Sequence, residues 1–313
     1  MNRHLFILNP AAGTKNRTER IRAVIEKLKI KDPYDIFVTD GVRAAEIETE
    51  RYLREHSEDF VRVYACGGDG TLSEVANGVY KSGSKNCAIA IVPVGSGNDF
   101  VKSLDIPPEH FRNIKGLIDG DIVEIDLLLA KDAENNERVS LNIISAGFDA
   151  AVAFGQEKFK KLPLVSGSMA YNLSLVKCVF TDTKNYFALK VDGEKYGKSE
   201  GPYLFAIAAN GKYYGGGFKA SPYSDISDGM LDFIRIKTVS KTRLLSLVGK
   251  FREGKHIDEY KDITSYTQCK SMQFLSENTI NINVDGEIAP MKNPIIKILP
   301  KAVKLVLPKT EKE

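Results

Sequence analysis

The sequence predicts an α/β protein in two parts, a parallel-sheet domain followed by a domain of antiparallel strands. Three observations carry that expectation. The chain has 313 residues, enough for two domains of ordinary size. Over roughly the first 125 residues, short apolar runs alternate with helical patterns, the signature of a parallel sheet covered on both faces. From about residue 121 onward strand-like runs separated by turn signals dominate, which reads as a sandwich or barrel.

Each element follows from its own pattern. HLFIL (4–8) is a buried-type strand, and Ile21, Val24, Ile25 and Leu28 then recur at i, i+3, i+4, i+7, one helix face. DIFVT (35–39) is a second strand, followed by a helical stretch near 42–55. VRVYA (61–65) is the third strand, with Leu72, Val75, Ala76 and Val79 marking the next helix, and AIAIVPV (88–94) is the fourth strand. In the second part DIVEIDLLLA, VSLNIISAGF, YFALKVDG, YLFAIAAN, MLDFIRIK, TININ and VKLVL are strand-like, with helices near 166–180 and 240–253.

Composition narrows the chemistry. Apolar residues make up 43%, sufficient for a large core, and the net charge of +3 is too mild to argue for a nucleic-acid partner. Cys66, Cys87, Cys178 and Cys269 lie far apart without a CxxC pair, which reads as reduced thiols in a cytoplasmic protein. His4, His56, His110 and His256 are equally scattered and do not form a zinc pattern. The apolar run at the N-terminus is too short for a signal peptide, and no stretch approaches the 18 or so apolar residues of a membrane span.

The residues that point to a ligand are glycines. CGGDGTLSEVANG (66–78) stands where the third strand ends and a helix begins, the position at which open α/β sheets bind ligands. Gly67, Gly68 and Gly70 let backbone N–H groups face outward at a helix N-terminus, which favours a phosphate. Thr71 and Glu74 have the spacing of a capping box. Asp69 beside phosphates is repulsive unless a divalent cation bridges them, so the stretch points to a metal–nucleotide complex. PVGSGNDF (93–100) and NPAAGTKN (9–16) repeat the logic after the fourth and first strands. A single such turn reads equally well as structural; three after three parallel strands converge on one sheet edge. Neither GxxxxGK[ST] nor GxGxxG is present.

NPAAG, GGDGTLSEVANG and PVGSGNDF, in this order, resemble the catalytic domain of the diacylglycerol kinase and bacterial soluble lipid kinase family. GGGFKASPYSDISDGMLDFI (215–234) and NVDGEIA (283–289) match its later motifs. The resemblance implies an α/β ATP-binding domain over 1–125, joined by a returning tail at about 295–313, and a β-sandwich lipid-substrate domain over 126–294. It places Asn9, Pro10, Gly13, Thr39, Gly67, Gly68, Asp69, Gly70, Thr71, Ser96, Asn98 and Asp99 around the nucleotide. It makes Asp225, Asp228 and the carbonyl of Met230 ligands of a structural magnesium; without it DISDGM reads as a surface Asp-Gly turn. It makes Asp285 of VDGE the general base, with Glu287 and Asp126 as acidic partners, where the residues alone read as a hairpin turn, and it has Asp69 act through metal or water.

The implied reaction is transfer of the ATP γ-phosphoryl group to a lipid hydroxyl, diacylglycerol first, in phospholipid metabolism. The implied setting is cytoplasmic and peripheral at the membrane surface, and Lys158, Lys160 and Lys161 read either as a lipid-docking cluster or as the solvated entry to a packed helix. A NAD kinase with the same GGDGT turn and a non-catalytic nucleotide-binding regulator are the competing readings. Oligomeric state stays open, a homodimer included.

Overall fold

The computed structural model describes residues 1–13, 17–95, 97–147, 184–195 and 202–309. Ser96, the Lys158–Lys161 cluster and the helix expected at 166–180 lie outside the described residues. The chain divides into two compact units, Met1–Ile125 with Lys301–Glu313, and Asp126–Pro300.

The first unit is a parallel sheet. Its strands β1 (Asn2–Leu8), β2 (Tyr34–Val38), β3 (Phe60–Gly67) and β4 (Cys87–Pro93) run in the order β2-β1-β3-β4. Helices α1 (Arg17–Lys27), α2 (Ala44–Glu55) and α3 (Asp69–Ser82) connect them. The apolar runs are buried as continuous strands, with Leu5 to Leu8, Val61, Val63 and Cys87 to Val92 all in the core. β2 is an edge strand and only partly buried, and α1 buries Ile25 while Val24 of the same predicted face is exposed. An outer helix beside an edge strand has less sheet to cover, so part of its apolar face stays wet.

Strand register aligns the turns. Leu8 pairs with Val38 and with Cys66, and Gly67 pairs with Pro93. The strands therefore end in one row, and the chain leaving each is tied to its neighbour: Asn9 N to Cys66 O (3.1 Å), Thr39 N to Leu8 O (2.9 Å), and Val94 N to Gly67 O (2.9 Å). Near the other end of the chain, Leu305 and Val306 pair in parallel with Ile89 and Ala90, adding the C-terminal residues to the β4 edge.

The second unit is an antiparallel β-sandwich. Strands β5 (Asp121–Lys131), whose first residues belong to the first unit, and β6 (Glu137–Ser140) form one antiparallel pair. One sheet holds β7 (Ile143–Gly147), β10 (Tyr203–Ala209), β11 (Leu231–Lys237), β12 (Thr264–Cys269), β14 (Ile280–Val284) and β15 (Glu287–Met291), in the order β12-β11-β10-β7-β14-β15. Opposite it, β13 (Ser271–Leu275) pairs with β8 (Ala188–Val191) and with the start of β16 (Ile295–Leu307), while Lys190 and Val191 of β8 also pair with β9 (Glu194–Lys195). Alternate residues such as Ala206, Ala208, Phe233, Phe274 and Ile282 fill the space between the sheets. A bulge at Leu204 shifts the β10–β11 register. The outer face of β10–β11 is covered by helix α4 (Lys241–Glu253) through Leu244, Leu247 and Phe251, with Ser240 at its N-cap and Gly254 left-handed at its end.

Candidate active site

At the C-terminal edge of the parallel sheet the three glycine turns interlock. Asn9 Oδ1 accepts from Ala11 N (2.9 Å), closing the first turn, and Asn9 Nδ2 donates to Thr71 Oγ1 (2.9 Å). Gly13 stands at φ 79°, and a Cβ there would fall on the Val94 carbonyl. A Cβ on Gly95 would lie 2.5 Å from the Gly68 Cα, so the second and third turns touch through bare backbone. Pro10 is exposed and Thr39 buried at the same edge.

The capping box expected from Thr71 and Glu74 does not form. Helix α3 begins after an extended Gly68 without a side-chain cap, and Thr71 is taken by Asn9. Glu74 reaches the neighbouring helix instead, accepting from Arg43 N and Ala45 N (both 3.0 Å) and so capping α2. The first amides of α3 thus face the edge without an internal acceptor, the arrangement that suits an anion.

Asp69 has a task that its glycine-rich motif does not disclose. Its carboxylate accepts from Asp99 N (2.8 and 3.0 Å) and Phe100 N (3.3 Å), bracing the PVGSGNDF turn from below. Burial, and after it the neighbouring Asp99 charge, push its carboxyl above the usual carboxylate range. Asp99 is buried and paired with Lys102 Nζ at 2.6 Å. Asn98, at φ 53°, donates from Nδ2 to Gly95 O (2.7 Å).

In the second unit the acidic residues gather at two turns. Asp126 is fully buried; its Oδ2 accepts from Gly229 N (2.7 Å) and its N–H donates to Ile226 O (2.7 Å), clasping the DISDGM turn. In that turn Asp225 and Asp228 are exposed. Asp225 Oδ1 accepts from Ser227 N (2.9 Å), and Asp228 accepts from Met230 N (2.8 Å) and Gln268 Nε2 (3.0 Å). The two exposed carboxylates are hard oxygen donors of the kind magnesium takes, while the Ile226 and Gly229 carbonyls of the same turn are engaged by Asp126 N and by Lys270 Nζ (2.6 Å). Among the described residues no three or more His, Cys, Asp or Glu side chains are grouped so as to hold a metal ion.

The other turn joins β14 to β15. Asp285, at φ 50°, accepts from Ser140 Oγ (2.6 Å), Ile143 N (3.0 Å) and Leu141 N (3.1 Å). Glu287 is partly exposed and pairs with Arg138 at 2.6 Å. Arg138 and Ser140 carry no motif in the sequence; only the fold brings them to these acids.

Comparison with known proteins settles the family. The profile of the diacylglycerol kinase catalytic domain matches residues 3–130, and that of the YegS C-terminal NAD kinase beta sandwich-like domain matches 142–307. The chain belongs to the diacylglycerol kinase and bacterial lipid kinase family. Among relatives of this lipid kinase, a diacylglycerol kinase of Staphylococcus carnosus is 26% identical over 90% of this chain and 87% of its own. One of Bacillus subtilis is 24% identical over 100% of this chain and 99% of its own. The solved structure of a diacylglycerol kinase from Bacillus anthracis str. Sterne shares the fold, with a TM-score of 0.67 at 19% identity over 97% of this chain and 96% of that one. Kinases of this family take their phosphoryl group from ATP. No helix among the described residues of this family member is long and apolar enough to cross a membrane.

Proposed function

We propose that the protein is an ATP-dependent lipid kinase that phosphorylates diacylglycerol to phosphatidic acid, working from the cytoplasmic water side of a membrane. The observation that carries this reading is the row of strand ends in the first unit. Three glycine turns meet there around the start of α3, whose first amides have no side-chain cap, a cradle for a polyphosphate. Relatives that cover nearly the whole chain are named diacylglycerol kinases, which favours that lipid.

In the reaction the lipid hydroxyl oxygen bonds to the γ-phosphorus, the bond from that phosphorus to the bridging oxygen breaks, and ADP leaves. Most of the rate comes from positioning and neutralised charge. Asn9, Gly13, Gly67, Gly68, Gly70 and Thr71 hold the nucleotide, and Asp69 keeps the neighbouring turn in place. Asp225, Asp228 and the Met230 carbonyl would hold magnesium, which supplies local positive charge that organises the acidic turns. The hydroxyl proton passes to a carboxylate of the VDGE turn. Asp285, to which the motif gives that task, has three of a carboxylate's roughly four acceptor positions filled by protein donors. We assign proton acceptance to Glu287, two residues on, partly exposed and paired with Arg138, and orientation of the turn to Asp285.

The test is phosphorylation of diacylglycerol, total lipid extract and NAD with labelled ATP. Wild type is expected to label diacylglycerol. Glu287→Gln should lose about 10²–10⁴-fold in turnover with nucleotide affinity retained, whereas Asp285→Asn should also lower the melting temperature. Label on NAD alone, or nucleotide binding without any product, overturns the lipid kinase reading. A Glu287→Gln enzyme at full rate returns the proton to Asp285.

A further inference from the structure

Between β6 and β7 the chain leaves one sheet for the other, and the strand ladder breaks at Leu141 and Asn142. Backbone groups at such a crossing are buried and need side-chain partners. Asp285 supplies acceptors for Leu141 N and Ile143 N. The Leu141 carbonyl finds its donor in Asn210, the residue after β10.

Asn210 is fully buried. Its Nδ2 donates to two carbonyls, Leu141 O (2.8 Å) and Asp126 O (3.1 Å), and its own N–H donates to Asn142 O (2.8 Å). Asn142 in turn donates from Nδ2 to Tyr213 O (2.6 Å) and from its N–H to Ser140 Oγ (3.1 Å), whose hydroxyl is bonded to Asp285. Because a carbonyl oxygen can only accept, the atom facing both carbonyls is the amide nitrogen, which fixes which way the Asn210 side chain points. One planar amide therefore ties together two acid-bearing turns. Asp126 clasps the 225–230 turn through Gly229, and the Leu141 peptide is held by Asp285 of the β14–β15 turn. Aspartate cannot supply the two N–H donors, leucine of similar size supplies none, and glutamine is a methylene too long for so closed a space.

We propose that Asn210 is a positioning residue for phosphoryl transfer, setting the spacing between the acidic turn at Asp225–Met230 and the turn that carries Asp285 and Glu287. This rests on the lipid kinase reading above. Misplacing a reacting carboxylate by a fraction of an ångström to one ångström is costly in rate without being costly in binding. Nucleotide contacts belong to the other unit, so a positioning defect separates kcat from the KM for ATP.

The experiment compares the full-length wild type with Asn210→Leu on diacylglycerol in mixed micelles, at a temperature at which melting curves show both proteins folded. Asn210→Leu is expected to lose tenfold or more in kcat with the KM for ATP within twofold. If wild type labels lipid and Asn210→Leu retains kcat within twofold, the inference falls alone. If wild type labels no lipid, the kinase reading falls and this role falls with it. Should Asn210→Leu fail to fold, Asn210→Ser interrogates the same position with a short hydroxyl that cannot donate to both the Leu141 and Asp126 carbonyls. A several-fold drop in kcat at unchanged KM supports the proposal, and full kcat overturns it.

Discussion

Asp69 looks in the sequence like a metal ligand, yet its oxygens are spent on the amides of Asp99 and Phe100. Bracing and metal bridging make different predictions. Asp69→Ala frees two amides, each bonded to a charged acceptor and worth about 1.5–3 kcal/mol, and lets the 97–100 turn sag. Nucleotide affinity should then fall about tenfold whether or not magnesium is present, as titration calorimetry with and without a chelator would record; a loss confined to the magnesium arm would make it a metal ligand after all. His256 offers a second test. It is fully buried against Phe251, with ring centroids 4.4 Å apart, and burial pushes its pKa down to about 4. The unfolded chain, with its histidine near the ordinary value, takes up the proton first, so acidification favours unfolding. Stability is complete above the unfolded pKa and drains away as pH falls toward 4, by about 2 kcal/mol between pH 7 and pH 5 for this one group. Melting temperatures of wild type and His256→Met at those two pH values should diverge; parallel acid sensitivity in both would exonerate His256.

Among elements, legibility followed burial. β1, β3 and β4 are covered on both faces and are written as unbroken apolar runs, so the parallel sheet could be read directly. β12, β13 and β15 could not. TSYTQC is an edge strand with one polar side, EIAPM carries Pro290 in an edge strand where a missing N–H is tolerated, and SMQFL alternates over only five residues. The α3 start shows the same limit at a single residue. Spacing made Glu74 a partner for Thr71, but α2 packs against α3 and offers Glu74 the amides of Arg43 and Ala45. The glycine turns were legible because a tight turn after a buried strand constrains residue type locally. The bonds that give the acids their surroundings were not. Ser140 and Asp285 are 145 residues apart, and Asn210 and Asp126 are 84 apart; no local pattern records a partner that the strand register selects.

The first unit is not a contiguous piece of chain: residues 1–125 carry its glycine turns, but Lys301 onward closes the sheet beside β4. Val303, Leu305 and Val306 are buried there. Burying each side chain is worth about 1.5–3 kcal/mol, so together they supply about 5–9 kcal/mol, comparable to the 5–15 kcal/mol total stability of an ordinary domain. Removing them also bares the hydrogen-bonding edge of β4, an invitation to aggregation. A chain ended at Pro300 should therefore lose nucleotide binding although every glycine turn is still present. Leu305→Ala, the milder lesion, should cost about 2–5 kcal/mol and leave binding measurable at low temperature. The pair of measurements is decisive because neither change touches a residue assigned to the nucleotide. A 1–300 chain that binds ATP as tightly as the full chain would show that β4 needs no strand beside it. The C-terminal strand would then be an appendage to this unit, with no part in supporting its ligand edge.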